Sequence, residues 1–279
     1  MRLCNQDLSL AFILPLLQLA TNLTGQSRDP VTINWDSLRE LDIFCESATL
    51  FRDSMALITL EYAQLFNAYI MNDKELVRDT FDRLGKLKSN RMVGTHFANY
   101  FCNTMDGLVF LSLYKEKREY KHKRGAAKVI AVLTKLSKKL SGNCLGMLLL
   151  LQAEKAAITT GSKMEGKANY DKAISQLART GFTHFTAIAY ERAGDFMMRH
   201  GDDYWSKHYL SHAMILYTRW GATVKVRQMQ KQFPHICQKD NLHCYDEDQG
   251  VATIAVRGKK QYNEKMDSFR EVASRRYSL

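Results

Sequence analysis

Residues 153–181 read AEKAAITTGSKMEGKANYDKAISQLARTG, and residues 193–221 read AGDFMMRHGDDYWSKHYLSHAMILYTRWG. Six identical residues recur between the two stretches at a period of forty: Ala153/Ala193, Gly161/Gly201, Lys167/Lys207, Ala173/Ala213, Arg179/Arg219 and Gly181/Gly221. A unit this short cannot bury its own apolar face, so units of fixed period stack on one another. The pattern therefore predicts a helical repeat protein that offers a binding surface and not a catalytic loop.

The composition favours a folded, all-α chain. Hydrophobic residues make up 46% and charged residues 25% of the 279 residues, which fits a folded protein and excludes wholesale disorder. Proline occurs only at Pro15, Pro30 and Pro234. Proline breaks helix interiors and marks many loops of β proteins. The proline-free stretch between Pro30 and Pro234 therefore predicts continuous helix pairs joined by short turns.

Helical spacing of apolar residues follows most of the chain. It predicts helices over about 8–23, 53–71, 74–88, 92–117, 124–140, 144–160, 163–179, 183–200, 202–220 and 223–232, with a partly helical segment at 36–50. Gly161 and Gly201 are expected at chain reversals, and Gly181 and Gly221 at the ends of second helices, where glycine tolerates the left-handed conformation. We expect a helical repeat domain over 1–234 and an irregular, partly disordered tail over 235–279.

The apolar stretch Leu10–Ala20 has two interpretations. Asp7 precedes it, Arg2 is the only early basic side chain, and no small-x-small cleavage site follows cleanly, all of which disfavour a secretory signal. We expect a buried first helix in a cytoplasmic protein, with a secreted protein as the alternative if residues 1–20 act as a signal peptide. The six scattered cysteines fit reduced thiols in the cytosol.

The two units also fit a known repeat pattern. Counted from Ala187, the second unit places an aromatic residue, a small pair, a bulky residue and further small and bulky residues at Tyr190, Ala193, Gly194, Met197, Ser206, Leu210 and Ala213. Counted from Met147, the first unit has Leu150, Ala153, Glu154, Ala157, Gly166, Tyr170 and Ala173, where Glu154 departs from the usual small residue. The chain therefore resembles a tetratricopeptide repeat protein, although its period is forty in place of about thirty-four.

A more specific resemblance covers roughly residues 10–234 and is strong over 145–234. It is carried by AIAYERAGDFMMRHGDDYWSKHYLSHAMILYTRWGATVKVRQMQKQFP at 187–234, by ARTGF before it and by LLQLATNLTGQSRDP at 16–30. These sequences are similar to the helical-repeat segment of large multidomain signalling proteins that combine kinase-like, AAA-type ATPase and histidine-kinase modules. The sequence has no phosphate-binding loop, protein-kinase motif or histidine-kinase glycine motif. The resemblance therefore implies a non-enzymatic scaffold or regulatory module of intracellular signalling, which needs no cofactor.

Tetratricopeptide arrays bind partners on a wall built from the first helix of each pair. That register puts Leu148, Leu151, Lys155 and Ile158 on the wall from one unit, and Ile188, Glu191, Asp195 and Met198 from the next. Leu148, Leu151 and Ile188 are as well explained by packing on neighbouring helices. The candidate partner-binding groove is therefore Lys155, Ile158, Glu191, Asp195 and Met198, whose mixed charges and apolar groups suit an extended peptide or a partner helix.

The net charge of +11 supports an alternative function. The densest basic run is Lys115–Arg124, and with the tail it could bind RNA, DNA or acidic lipid. Because Glu116 and Glu119 interrupt the run, a solvated helix end or inter-helix turn is the expected structure.

Two further groupings contain residues capable of chemistry. His235, Cys237, His243 and Cys244 are donors that zinc accepts, but their spacing matches no familiar finger, so we expect a loop and no metal site. The carboxylates Glu191, Asp195, Asp202 and Asp203, and the histidines at 184, 200, 208 and 212, invite a catalytic interpretation. A repeat surface and acidic helix starts explain the carboxylates without catalysis, so we expect no catalytic residue.

Overall fold

The computed structural model describes residues 3–33, 54–88, 98–139, 144–159 and 162–234. These residues form helices and turns with no strand. The ten helices are α1 (Leu3–Thr24), α2 (Ser54–Ile70), α3 (Lys74–Lys88), α4 (Ala98–Lys117), α5 (Tyr120–Lys139), α6 (Leu145–Thr159), α7 (Lys163–Arg179), α8 (Thr183–Arg199), α9 (Asp203–Trp220) and α10 (Thr223–Gln232).

Consecutive helices pack as antiparallel hairpins. The pairs are α2 with α3, α4 with α5, α6 with α7, and α8 with α9. The first helices of neighbouring hairpins also contact one another, and each second helix α5 and α7 packs against the first helix of the next hairpin. The predicted all-α fold of helix hairpins is confirmed.

Glycines in the left-handed conformation end helices at the expected places. Gly181 has φ +74° after α7, and Gly221 has φ +86° after α9. Gly201, with φ +66°, makes the reversal between α8 and α9. Side chains begin other helices: Asp73 accepts a hydrogen bond from the Leu76 N–H over 3.0 Å, and Ser162 accepts one from the Glu165 N–H over 3.4 Å. Local turn chemistry therefore sets these helix bounds.

The start of α5 differs from the prediction. The helix begins at Tyr120, four residues before the expected start at Arg124. The reversal from α4 is made by Arg118, which has φ +55°, and the remaining turn is completed at Glu119. The second half of the basic run is therefore the first turn of α5, in agreement with the expected helix end and inter-helix turn.

Small residues lie where two helices approach closely. Ala153, Ala173, Ala193 and Ala213 are all buried. A Cβ atom on Gly194 would lie 2.6 Å from Leu210 Cγ and 3.2 Å from the Leu210 backbone nitrogen, so only glycine fits there without a shift. These contacts explain why small residues recur at the period of the repeat.

The last helix returns to the first hairpin, a contact that the sequence did not predict. The Thr223 hydroxyl donates to the Thr24 carbonyl over 2.8 Å, and the Gln228 side-chain amide donates to the Met71 carbonyl. At the end of α9, Trp220 meets Phe66 of α2 edge-to-face, with ring centroids 5.9 Å apart. Helix α10 therefore contacts both α1 and the turn that follows α2.

A non-helical segment that follows α1 is held by buried amide side chains. Gln64 accepts from the Ile33 N–H over 2.6 Å and donates to the Val31 carbonyl over 3.1 Å. Asn67, one turn further along α2, donates to the Pro30 carbonyl over 2.9 Å and to the Val31 carbonyl over 2.7 Å. These bonds replace the backbone partners that a segment outside helices lacks.

Contacts divide the chain into two units, Met1–Gln232 and Phe233–Leu279. Several predictions concern residues outside the described ranges. They are the partly helical segment at 36–50, the reversal at Gly161, the tail at 235–279 and the zinc-type donors at His235, Cys237, His243 and Cys244.

Candidate functional site

The first helices of the four hairpins bring ionisable groups together on one side, which we call the inner face. It comprises Tyr69 of α2, Lys115 of α4, Glu154 of α6, and Glu191, Arg192 and Asp195 of α8. The charges of Glu154, Arg192, Glu191 and Asp195 all act on the Tyr69 hydroxyl, and those of Arg192, Glu154 and Asp195 act on Lys115. Groups from four helices therefore share one electrostatic environment.

The centre of the inner face is a bidentate ion pair between α6 and α8. Arg192 Nε donates to Glu154 Oε1 over 3.1 Å, and Arg192 Nη2 donates to Oε2 over 3.3 Å. The Tyr170 hydroxyl donates to Oε1 over 2.7 Å. Burial alone would raise the pKa of Glu154, but the guanidinium and these hydrogen bonds outweigh burial and hold the pKa below its usual range. The carboxylate therefore stays ionised in the core.

A second ion pair joins α8 to α10. Lys225 Nζ lies 2.6 Å from Glu191 Oε1, and the Lys225 side chain is 0% exposed. The Tyr217 hydroxyl donates to Glu191 Oε2 over 2.8 Å, and Gln228 Oε1 accepts from Lys225 Nζ over 3.2 Å. Each oxygen of the Glu191 carboxylate therefore has a partner within the protein.

Charged groups of both signs surround Lys115, namely Arg192 and Arg199 together with Glu154 and Asp195. Burial and the neighbouring Arg192 and Arg199 lower the pKa of Lys115. Burial is the largest cause of this shift, and repulsion from the two guanidinium groups adds to it. Glu154 and Asp195 offset that repulsion only in part, so an anionic group placed there would gain favourable interactions.

The predicted groove residues occupy equivalent positions forty residues apart. Lys155 on α6 corresponds to Asp195 on α8, and Ile158 corresponds to Met198. Lys155 is exposed, and Ile158, Asp195 and Met198 are half-buried. The structure thus places these four at the carboxyl-terminal halves of two adjacent helices, α6 and α8; we call them the open strip.

The fifth predicted groove residue lies in a different environment. Glu191 is held by Lys225 and Tyr217, and its side chain is 14% exposed. The apolar wall candidates Leu148, Leu151 and Ile188 are buried in the core, in line with their interpretation as packing residues. Accessibility along the wall therefore increases from the beginning of α6 and α8 towards their ends.

Sequence reasoning missed Lys115, Arg192 and Lys225. Lys115 belongs to a basic run that we interpreted as a helix end, and Lys225 belongs to a short helix with no repeat partner. A signal for Arg192 was present, since Glu154 stands where the repeat expects a small residue. A carboxylate at a core position requires a cation, and Arg192 is the cation that the fold supplies.

The other groupings considered for chemistry have structural partners. Asp202 caps α9 through the Trp205 N–H over 3.2 Å and pairs with Lys163 over 3.0 Å. His184 packs against Phe66 and Trp220. Within the described ranges, no three His, Cys, Asp or Glu side chains come together as metal ligands would. Nor does any helix in those ranges combine the length and apolarity that crossing a bilayer requires.

No protein-family model matches the chain, and neither the curated proteins nor the solved structures contain a match.

Proposed function

We propose that this chain is a non-enzymatic scaffold that binds a segment of a protein partner along the open strip. The observation that supports the proposal is the pair of equivalent positions, Lys155/Asp195 and Ile158/Met198, on adjacent first helices. Each helix pairs a charged side chain with an apolar one, one helical turn apart. A repeated unit that presents the same geometry twice suits an extended peptide or one face of a helix.

The charge balance favours an acidic partner segment. Lys115, Lys155 and Arg199 lie at or beside the open strip, where Asp195 is the carboxylate without an ion pair among the described residues. Burial and, after it, repulsion from Arg192 and Arg199 lower the pKa of Lys115, and a partner carboxylate beside these cations would relieve the repulsion. Ile158 and Met198 would receive a small apolar side chain, and methionine adapts to different partners.

The use of the ionisable groups supports a non-enzymatic role. Glu154, Glu191 and Asp202 are each held in an ion pair with Arg192, Lys225 and Lys163, respectively. A general acid or base needs a group that can exchange a proton with a substrate. These carboxylates instead stabilise contacts between helices.

The tetratricopeptide-like resemblance and its signalling context belong to the same proposal. The helix-ending glycines Gly181 and Gly221, together with the buried alanines, support the repeat. From the resemblance we propose that this repeat serves as a cytoplasmic, protein-contacting regulatory module. In this role the chain would hold a partner of a kinase or ATPase cascade and carry no activity of its own.

Selection from a random peptide display library tests the proposal, because it requires no named partner. We expect enrichment of peptides that combine Asp or Glu with an apolar residue. The double variant Lys155→Glu with Arg199→Glu should lose this enrichment. The matched control, Lys172→Glu with Arg179→Glu on the exposed side of α7, should retain it. Equal enrichment on both variants, or none on the native chain, would remove the open strip as the binding site.

A further inference from the structure

The exposed face of α5 differs in charge from the other second helices. The exposed cations of α5 are Lys121, Lys123, Arg124, Lys128, Lys135 and Lys138, and the helix contains no Asp or Glu. By contrast, α3 carries Glu75, Asp79 and Asp82, α7 carries Glu165 and Asp171, and α9 carries Asp203. A purely basic face is therefore a property of this hairpin and not of the repeat.

The cations of α5 are exposed and aligned. Lys121, Arg124, Lys128, Lys135 and Lys138 recur at intervals of three, four, seven and three residues, which puts them on one side of the helix. All five are exposed, while Ala126, Val129 and Leu133 on the opposite side are buried. At 1.5 Å per residue the row is about 25 Å long. We call it the basic row.

Most of the basic row has no ion-pair partner among the residues that the structure describes. Lys121 pairs with Glu119 over 2.7 Å, and no ion pair with a described residue involves Arg124, Lys128, Lys135 or Lys138. Like charges one turn apart destabilise a helix. The repulsion within a row of cations on a folded helix decreases when an anionic surface lies against the row.

We propose that the basic row docks on a bilayer that contains anionic phospholipids. The exposed side of α5 adds only apolar residues to the cations, namely Tyr120, Ala127, Ala131 and Val132. Tyr120 is 74% and Val132 is 42% exposed. Tyrosine is enriched at membrane interfaces, and lysines beside small apolar residues extend their ammonium groups to lipid headgroups.

The same residues argue against a nucleic acid as the occupant. Contacts to a nucleic acid backbone use Ser, Thr, Asn and Gln besides Arg and Lys, and the exposed side of α5 has none of these four residues. Arg124 is its only arginine, whereas arginine is preferred for bidentate phosphate contacts. A lipid surface needs only a row of point charges at the level of the headgroups.

Vesicle sedimentation tests this inference with two lipid compositions. In about 0.1 M salt, where screening still allows attraction over about 10 Å, the chain should bind phosphatidylcholine vesicles that contain phosphatidylserine and should not bind pure phosphatidylcholine vesicles. Replacing Arg124, Lys128 and Lys135 by Ser should lower the partition coefficient on the order of a hundredfold, since each cation contributes about 1 kcal/mol.

The control removes the same charge elsewhere. Replacing Lys172, Arg179 and Arg219, which are also exposed, by Ser should leave vesicle binding close to that of the native chain. Equal loss in the two triple variants would mean that net charge, and not the basic row, drives binding. The inference would also be overturned if the chain bound neither kind of vesicle. It would likewise be overturned if duplex DNA displaced the chain from anionic vesicles and this displacement required Arg124, Lys128 and Lys135.

Both triple variants alter exposed side chains, so circular dichroism should show native helix content before binding is compared. This test is independent of the peptide selection, because the basic row and the open strip are on different helices. A failure of one leaves the other standing.

Discussion

The ammonium group of Lys225 lies 2.6 Å from the carboxylate of Glu191, although 34 residues separate them in the chain. Lys225 is fully buried on α10, and Glu191 is in the middle of α8. The pair therefore holds the last helix against the first helix of the preceding hairpin. It also explains why a residue predicted for a partner groove is engaged inside the protein.

Removing one member of this pair should be costly. Replacing Lys225 by Met leaves the Glu191 carboxylate buried with only the Tyr217 hydroxyl as a partner. We expect the free energy of unfolding to fall by about 3–5 kcal/mol, measured by urea denaturation. The double variant Glu191→Leu with Lys225→Met removes both charges and should recover most of that loss. If the double variant is as unstable as the single one, packing around Lys225 and not the ion pair stabilises this contact.

Two buried tyrosines provide a matched comparison. The Tyr69 hydroxyl is buried and has no hydrogen-bond partner among the described residues, whereas the Tyr217 hydroxyl donates to Glu191 over 2.8 Å. Replacing Tyr69 by Phe should raise the free energy of unfolding by about 1 kcal/mol, because it removes an unsatisfied polar group. Replacing Tyr217 by Phe should lower it by about 1–3 kcal/mol. Equal destabilisation in both variants would show that Tyr69 has a partner, such as a bound water molecule.

The sequence predicted the helix hairpins because their signals are local. Apolar spacing, the glycines at 181 and 221 and the acidic residues at helix starts depend only on neighbouring residues. The bounds of α7 and α10 were predicted to the residue. The start of α5 was not, because Arg118 adopts a left-handed conformation that nothing in its residue type announces.

The inner face could be predicted only in part, because its contacts join distant residues. Gly194 packs against Leu210, and forty residues earlier the same two positions hold Glu154 and Tyr170, which are hydrogen-bonded. The sequence marked Glu154 as a departure from the repeat, but it could not show that Tyr170 and Arg192 compensate for it. The return of α10 to the first hairpin has no local signal at all.

A buried histidine should make stability depend on pH. Burial among aromatic rings lowers the pKa of His184 to about 4, whereas in the unfolded chain it is about 6.5. Between these values the unfolded state binds the proton more tightly, so stability falls as the pH falls. From pH 7 to pH 5 the loss from His184 should be about 2 kcal/mol. In the variant His184→Phe this pH dependence of the free energy of unfolding should vanish. An unchanged pH dependence would show that other groups cause it.

We call the hydrogen bonds of Gln64 and Asn67 with residues 30–33 the amide clamp. Breaking this clamp should cause a local loss of protection against hydrogen exchange. Asn67 is fully buried and donates to the Pro30 and Val31 carbonyls, and Gln64 accepts from the Ile33 N–H. Replacing Gln64 by Ala should leave that N–H buried without an acceptor, at a cost of about 1–3 kcal/mol. Hydrogen exchange followed by mass spectrometry should show faster exchange in a peptide that covers residue 33 and unchanged exchange in α8 and α9. Arg83→Ala, which breaks an ion pair with Glu61 near the surface of the same hairpin, should leave the exchange at residue 33 unchanged. If both variants accelerate exchange there, α2 as a whole has loosened and the clamp is not the cause.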